Sequence, residues 1–499
     1  MALRRELYRG DCLDILDQYI EKESVDLIYL DPPFNSKSTY NLPFRKKDKD
    51  LKPVEAFTDF WEWTIDDEIR LDEWKRSKRE PLRSIATIVE FAYRVERKFE
   101  GGGVNRKYSL ASYLINMAER LIALRTVLKD TGSIYLHCDP TASHYLKLLM
   151  DAIFGQQSFR NEIAWCYTGP SNTKRWYPRK HDTILFYSKG DIWTFNRDTI
   201  RVPYSDLYVK RFQKRYDEKA GKSTIFDGGH DTERNQELAR KGKLPEDYWL
   251  EDRDKMSPVG RRKKERLGYP TQKPLALLNR IIKASSNPVD LILDPFCGCG
   301  TAIEAAEQLG RQWIGIDISR FSVGLMQERV VSRCHISSEA IKVFGLPETI
   351  TEARELAKNE PFEFEKWAAG AIGANGLYKD LGRPGPDGGV DGVIEITTIQ
   401  SGKVHDDTVI VQVKGGNVTP DSVKALSETV RRRGSKAGIL LCFADQMGTV
   451  NNQRSRETWQ DQSGTYPVIQ GFAIEDMLAG ERPKLPPMYG VTRGGRLTA

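Results

Sequence analysis

An acid followed by two prolines and an aromatic, Asp31-Pro32-Pro33-Phe34, comes directly after Val25-Asp26-Leu27-Ile28-Tyr29-Leu30. The apolar run reads as a buried strand, which sets the acid at the carboxyl edge of a sheet. Proline has no N–H and holds φ fixed, so the turn is stiff. It offers acceptors only, the Asp31 carboxylate and the Pro32 carbonyl. Phe34 adds a ring that can stack on a base. Acceptors beside a stacking ring suit chemistry on the exocyclic amino group of a nucleobase lifted out of a duplex. A plain strand-to-loop turn fits the same four residues, so a second segment has to decide.

That segment is Leu291-Ile292-Leu293-Asp294, an apolar strand that runs into Pro295-Phe296-Cys297-Gly298-Cys299-Gly300-Thr301. An apolar helix follows over about 302–309, then the strand Gln312-Trp313-Ile314-Gly315-Ile316-Asp317. Strand, glycine turn, helix, strand and acid make the nucleotide-binding half of a doubly wound sheet. The glycines let a ligand come close to the backbone, and Asp317 stands where a carboxylate accepts from ribose hydroxyls. The turn is not G-x-G-x-x-G, so no dinucleotide is required.

Together the two segments resemble the amino-methyltransferases of DNA, in the permuted order of the β group, over about residues 5–335. The resemblance implies an α/β, Rossmann-like domain that transfers a methyl from S-adenosyl-L-methionine to N6 of adenine or N4 of cytosine in double-stranded DNA. It makes Asp31, Pro32, Pro33 and Phe34 catalytic. It assigns Asp11, Lys273, Asp294, Phe296, Gly298, Gly300, Thr301 and Asp317 to the cofactor, with Asp11 beside its adenine and Lys273 near its methionine carboxylate. Residues 132–137 resemble the next sheet strand, and 181–189 the strand behind the target-base pocket. The Asp-Pro-Pro-aromatic form points to adenine. Phe34 in place of the commoner Tyr leaves N4-cytosine open. Accepting the two amine hydrogens on Asp31 and the Pro32 carbonyl favours a pyramidal nitrogen, so positioning and electrostatics supply most of the rate.

A second set of reactive residues lies near the C-terminus. Asp391 precedes the strand Val393-Ile394-Glu395-Ile396, and a further strand covers 409–414. Alternation puts Gln412 and Lys414 on one face while Val411 and Val413 face the core. An acid on one strand and polar-x-Lys on its neighbour make a metal-dependent phosphodiesterase site. Asp391 and the Val413 carbonyl hold Mg²⁺, and Lys414 orients or deprotonates water. Residues 360–485 resemble the Mrr-like branch of the PD-(D/E)xK restriction endonucleases, which implies a smaller α/β restriction-endonuclease-like domain. Gln412 stands where the usual second acid would be. Glu365, on a helix expected over 363–372, matches the helical Glu of that branch.

These residues must be positioned by at least two domains, and 499 residues suffice for them. The expected organisation is a methyltransferase domain over 1–340, a linker over 341–361 and an endonuclease domain over 362–499. The first would carry a polar insertion at 37–107 and a target-recognition region at 190–266. That region interleaves Arg197, Arg201, Lys210, Arg211, Lys214 and Arg215 with Tyr204, Tyr208 and Tyr216, and ends in Arg261-Arg262-Lys263-Lys264. Leu114, Met117, Leu121, Leu124 and Leu128 predict a core-facing helix over 109–130, ended by Gly132. Residues 220–224 lack the leading glycine and strand of a phosphate loop. A net charge of +6 permits nucleic-acid binding. Seven scattered cysteines, no zinc spacing and no apolar run of membrane length point to a reduced, cytoplasmic protein without a membrane partner. The whole reads as a fused restriction-modification enzyme. A nuclease site that cuts one strand at a time points to a homodimer. The alternatives are a methyltransferase whose C-terminal domain only binds DNA, and a nuclease directed at modified DNA.

Overall fold

The computed structural model describes residues 3–34, 39–41, 55–58, 61–99, 109–205, 241–251, 254, 256–259, 265, 271–374, 390–400, 403–486, 490–491 and 497–498. Short apolar runs need cover on both faces, and here they form the middle of one large, mostly parallel sheet. In chain order its strands are β1 (Arg5–Arg9), β2 (Val25–Leu30), β3 (Leu128–Cys138), β4 (Phe159–Cys166) and β5 (His181–Ser188). Then come β6 (Tyr248–Leu250), β7 (Leu291–Asp294), β8 (Gln312–Asp317) and β9 (Lys342–Phe344). Among the described residues the spatial order is β9-β1-β8-β7-β2-β3-β5-β4-β6. Only the pairs that β5 makes with β3 and β4 are antiparallel.

Two pairings position the first site. β2 lies beside β7, with Leu27 opposite Ile292 and Ile28 opposite Leu293, so the proline turn and the glycine turn leave the same edge. β1 lies beside β8, with Arg9 opposite Asp317, and this carries Gly10 and Asp11 to that edge as well. One face is covered by helices α1 (Cys12–Tyr19), α2 (Ser109–Val127) and α3 (Ser143–Phe154). The other is covered by α4 (Leu275–Ser285), α5 (Thr301–Gln308) and α6 (Arg320–Cys334).

The expected core stripe of α2 is buried throughout. The helix itself stops at Val127, because Leu128 pairs with Val25 and opens β3. Gly132 therefore sits inside a strand. A Cβ there would come within 2.6 Å of Leu128 Cδ1 and 3.0 Å of the Asp26 carbonyl oxygen, so close approach is its reason. The insertion contributes helices Ile65–Arg76 and Glu80–Phe99, whose Leu71, Trp74, Ile85 and Val89 are buried in the same core. The basic and aromatic residues at 208–216 and 261–264 lie outside the described residues, as do 220–224.

The second sheet is β10 (Gly392–Gln400), β11 (Lys403–Lys414), β12 (Ala437–Cys442) and β13 (Ile469–Ala473), in that order. β10 and β11 are antiparallel and the remaining pairs parallel. The expected linker over 341–361 is structured. β9 adds to the large sheet at β1, while helix α7 (Ile350–Asn359) buries Ala353 and Leu356 in the core of the second sheet. A Thr349–Glu352 capping box starts α7, and α8 (Pro361–Ala371), which carries Glu365, follows it directly. Among the described residues no helix is long and apolar enough to cross a membrane.

Candidate active sites

At the shared edge of the large sheet, the stiff turn after β2 leaves Pro32 buried and Asp31, Pro33 and Phe34 half-buried. Lys273 Nζ donates to Asp31 Oδ2 at 2.5 Å, and both side chains are largely shielded from water. Asp31 Oδ1 is buried with no hydrogen-bond partner among the described residues. One carboxylate oxygen is thus anchored and the other is open to a donor. The Lys273 ammonium also lies 5.1 Å from the Phe34 ring centroid. Phe34 in turn stacks on His137, with centroids 5.9 Å apart and planes inclined by 25°.

Beneath that stack runs a buried polar chain. His137 Nδ1 meets the Tyr29 hydroxyl at 3.0 Å and Nε2 meets Asp182 Oδ2 at 3.1 Å. The Tyr167 hydroxyl donates to Asp182 Oδ1 at 3.0 Å. A ring with its hydrogen on Nε2 donates to Asp182 and accepts from Tyr29, which satisfies both neighbours. Burial alone would raise the Asp182 carboxyl, but hydrogen bonds from His137 and Tyr167 and the charge of Lys273 hold it below the usual carboxylate range. Burial, followed by Asp31, Asp294 and Asp182, pushes the Tyr29 hydroxyl well up, which keeps it a donor. None of these four was a site residue in the sequence reading, although His137 and Asp182 fall in the segments read as the next sheet strand and the strand behind the target-base pocket.

The glycine turn between β7 and α5 lies alongside. Asp317 Oδ2 accepts from Gly298 N–H at 2.9 Å and Oδ1 from Ser319 N–H at 2.8 Å. Burial pushes its carboxyl up to about 6. The Ser322 side chain also hydrogen-bonds the carboxylate, which leaves capacity for a further donor. Asp294 accepts from Phe296 N–H at 3.1 Å. Burial, with the nearby Asp31 and Asp317 carboxylates, drives Asp294 well above the usual range. Gly300 is left-handed at φ +75, and Gly298 also has positive φ. Thr301 turns its hydroxyl inward to accept from Arg329 Nη1 at 2.9 Å. Arg329 also donates to the Cys299 carbonyl at 2.9 Å and pairs with Glu304, bracing the turn from behind. Asp11 has both oxygens engaged within the fold, one capping α1 at Leu13 N–H and one on Arg120 at 2.6 Å.

In the second sheet, Asp391 Oδ2 accepts from Val413 N–H at 2.6 Å, which ties the acid to β11. Gln412 does not line an open face. Apolar clusters cover both faces of β11, and Gln412 is 3% exposed. Its Oε1 has no hydrogen-bond partner among the described residues. Lys414, at the end of the strand, is half-buried. Burial raises the Glu365 carboxyl, and the charge of Lys414 pulls against that rise. Asp391, Glu365, the Gln412 amide and main-chain carbonyls are hard oxygen donors, which suits Mg²⁺. Among the described residues no three His, Cys, Asp or Glu side chains converge on one point.

The model of the N6/N4 DNA methylases, described as DNA methylase, matches residues 25–328. The chain belongs to this DNA methylase family. A second model, described as restriction endonuclease, matches residues 356–450, so the methylase is fused to an Mrr-like restriction endonuclease domain. The Type II methyltransferase M.EcaI of Enterobacter cloacae is 32% identical over 264 residues, 44% of this chain and 57% of that protein. M.HpaI of Haemophilus parainfluenzae is 32% identical over 232 residues, 46% of this chain and 63% of that protein. The chain thus spans 57% and 63% of the length of these curated relatives. The solved PvuII DNA methyltransferase, titled cytosine-N4-specific, superposes with a TM-score of 0.37 and 14% identity, covering 68% of this chain and 90% of that one.

Proposed function

We propose that the methylase domain methylates N6 of adenine in double-stranded DNA with S-adenosyl-L-methionine, and that the C-terminal domain cleaves DNA with Mg²⁺, giving one restriction-modification enzyme. The observation that carries the first half is the divided Asp31 carboxylate, with Oδ2 held by Lys273 and Oδ1 buried without a partner among the described residues. A buried acceptor left open is costly unless a ligand supplies the donor. An exocyclic amine has two hydrogens to give. Asp31 Oδ1 takes one and the Pro32 carbonyl the other, while Phe34, backed by His137, holds the base plane. The cofactor supplies an electrophilic methyl on a sulfonium. Asp317 would accept from a ribose hydroxyl in the capacity that remains, and ionisation of that raised carboxyl is what such a donor favours.

For the nuclease, Asp391, Glu365 and the Gln412 amide would hold the ion, which stabilises developing charge on the phosphate. Lys414 orients the attacking water. A site that cuts one strand at a time calls for two copies on DNA.

The test uses unmethylated genomic DNA, S-adenosyl-L-methionine and Mg²⁺, with wild type beside Asp31→Ala and Asp391→Ala. We expect N6-methyladenine to fall by about 10³-fold in Asp31→Ala only, and fragments to vanish in Asp391→Ala only. N4-methylcytosine in the digest would move the acceptor to cytosine. Methylation without fragments under any condition would end the restriction reading.

A further inference from the structure

Between β4 and β5 the chain leaves the sheet beside the Asp31 pocket and comes back to it. Tyr167 sits at the outgoing end, with its hydroxyl on Asp182, and its N–H donates to the Lys180 carbonyl at 2.9 Å. His181 and Asp182 begin the returning strand. The base of the loop is therefore fixed to the polar chain under Phe34. Thr168 ties to Glu251, its N–H and hydroxyl each donating to the carboxylate at 2.8 Å, and residues 168–179 are all exposed, Trp176 at 66% and Tyr177 at 95%. Large rings left in water next to a site mark an interaction surface.

The charge of the loop has one sign. Lys174, Arg175, Arg179 and Lys180 stand in a stretch with no acid from Tyr167 to Lys180. Among the described residues none of the four makes an ion pair, and Lys180 reaches only the Pro170 carbonyl, at 3.3 Å. Unpaired cations interleaved with open rings fit a partner that offers both phosphates and π-faces. Position selects duplex DNA over other polyanions, because the loop starts and ends at the pocket proposed for the extruded base.

We infer that loop 168–180 is a DNA-contacting element of the methylase. Lys174, Arg175, Arg179 and Lys180 hold phosphates flanking the target nucleotide. Trp176 and Tyr177 stack on the bases uncovered as that nucleotide leaves the duplex. The inference rests on the methyltransferase reading. A second copy of this chain is the competing occupant of the rings.

The test is anisotropy of the full-length protein on a labelled duplex of arbitrary sequence, across a salt series. The variants are K174A/R175A/R179A/K180A and W176A/Y177A, each checked for wild-type circular dichroism and compared with wild type by sedimentation. The cation variant should flatten the slope of log Kd against log salt by roughly 0.9 for each phosphate no longer neutralised. The aromatic variant should keep the slope, yet bind a duplex with one abasic position about tenfold more weakly, as loss of base stacking requires. An unchanged slope overturns the phosphate role. Unchanged DNA binding in W176A/Y177A, with a dimer converted to monomer, overturns the stacking role in favour of self-association. Wild-type protein that binds duplex but transfers no methyl to genomic DNA tells against the methyltransferase reading, and leaves the loop to be judged on its slope.

Discussion

Single side chains in both sites are set by what burial does to a charge or an amide. Asp317 has its carboxyl raised to about 6 because it is buried, although two backbone N–H groups and the Ser322 side chain favour the ionised form. Ribose hydroxyls donate best to the carboxylate. Cofactor affinity should therefore be full above about pH 7 and fall as pH drops through 6, and Asp317→Asn should bind weakly with no such step. Calorimetric titration of S-adenosyl-L-methionine across pH measures this, and a flat wild-type profile would remove Asp317 from the cofactor site. Gln412 poses a different question. Its buried amide oxygen has no partner among the described residues, and such an oxygen left unpaired costs about 1–3 kcal/mol. Gln412→Leu should raise the urea midpoint, yet lose cleavage if that oxygen serves the ion. A stabilised variant that cleaves like wild type would place Gln412 outside the site.

At the scale of elements, the glycine turn and the helices behind it act as one unit. Gly300 takes φ +75 to start α5, and a Cβ there would meet Met326 Cγ of α6 at 2.2 Å. Arg329 of α6 is wholly buried and ties Cys299, Thr301 and Glu304 together. Removing one partner of a buried pair leaves the other charge stranded. Arg329→Met should cost about 3–5 kcal/mol, and adding Glu304→Leu should recover part of it, since Glu304 also pairs with Arg333 at 3.5 Å. Equal midpoints for the single and double variants would mean that the pair is not coupled. The core stripe of α2 was legible in its spacing, and so was the strand–turn–helix–strand order around Gly298. The end of α2 was not, because Leu128 is apolar in either state and only pairing with Val25 draws it into β3.

For the whole molecule, the proposed methylation and cleavage on one chain would impose an order. DNA incubated with S-adenosyl-L-methionine and no Mg²⁺ should resist cleavage when Mg²⁺ is then added, and DNA given Mg²⁺ first should be cut. Gel electrophoresis reads both arms, and cleavage confined to premethylated DNA would instead mark a nuclease directed at modified DNA. By itself the sequence determined the local chemistry: the acceptor turn at Asp31, the glycine turn before Thr301, the acid at Asp317 and the Asp391 to Lys414 strands. These are fixed by residue type and short spacing, and backbone sterics enforce them locally. What only the tertiary structure decided is which of those residues meet. Sheet pairing brings β2 to β7 and β1 to β8 across most of the methylase domain, and it sets Lys273 on Asp31. It also assembles Tyr29, His137, Asp182 and Tyr167 from three strands and a loop end, and closes both faces over Gln412. Contacts between distant segments leave no period or spacing in the chain, because they depend on strand order and register, and those follow from how the whole core packs.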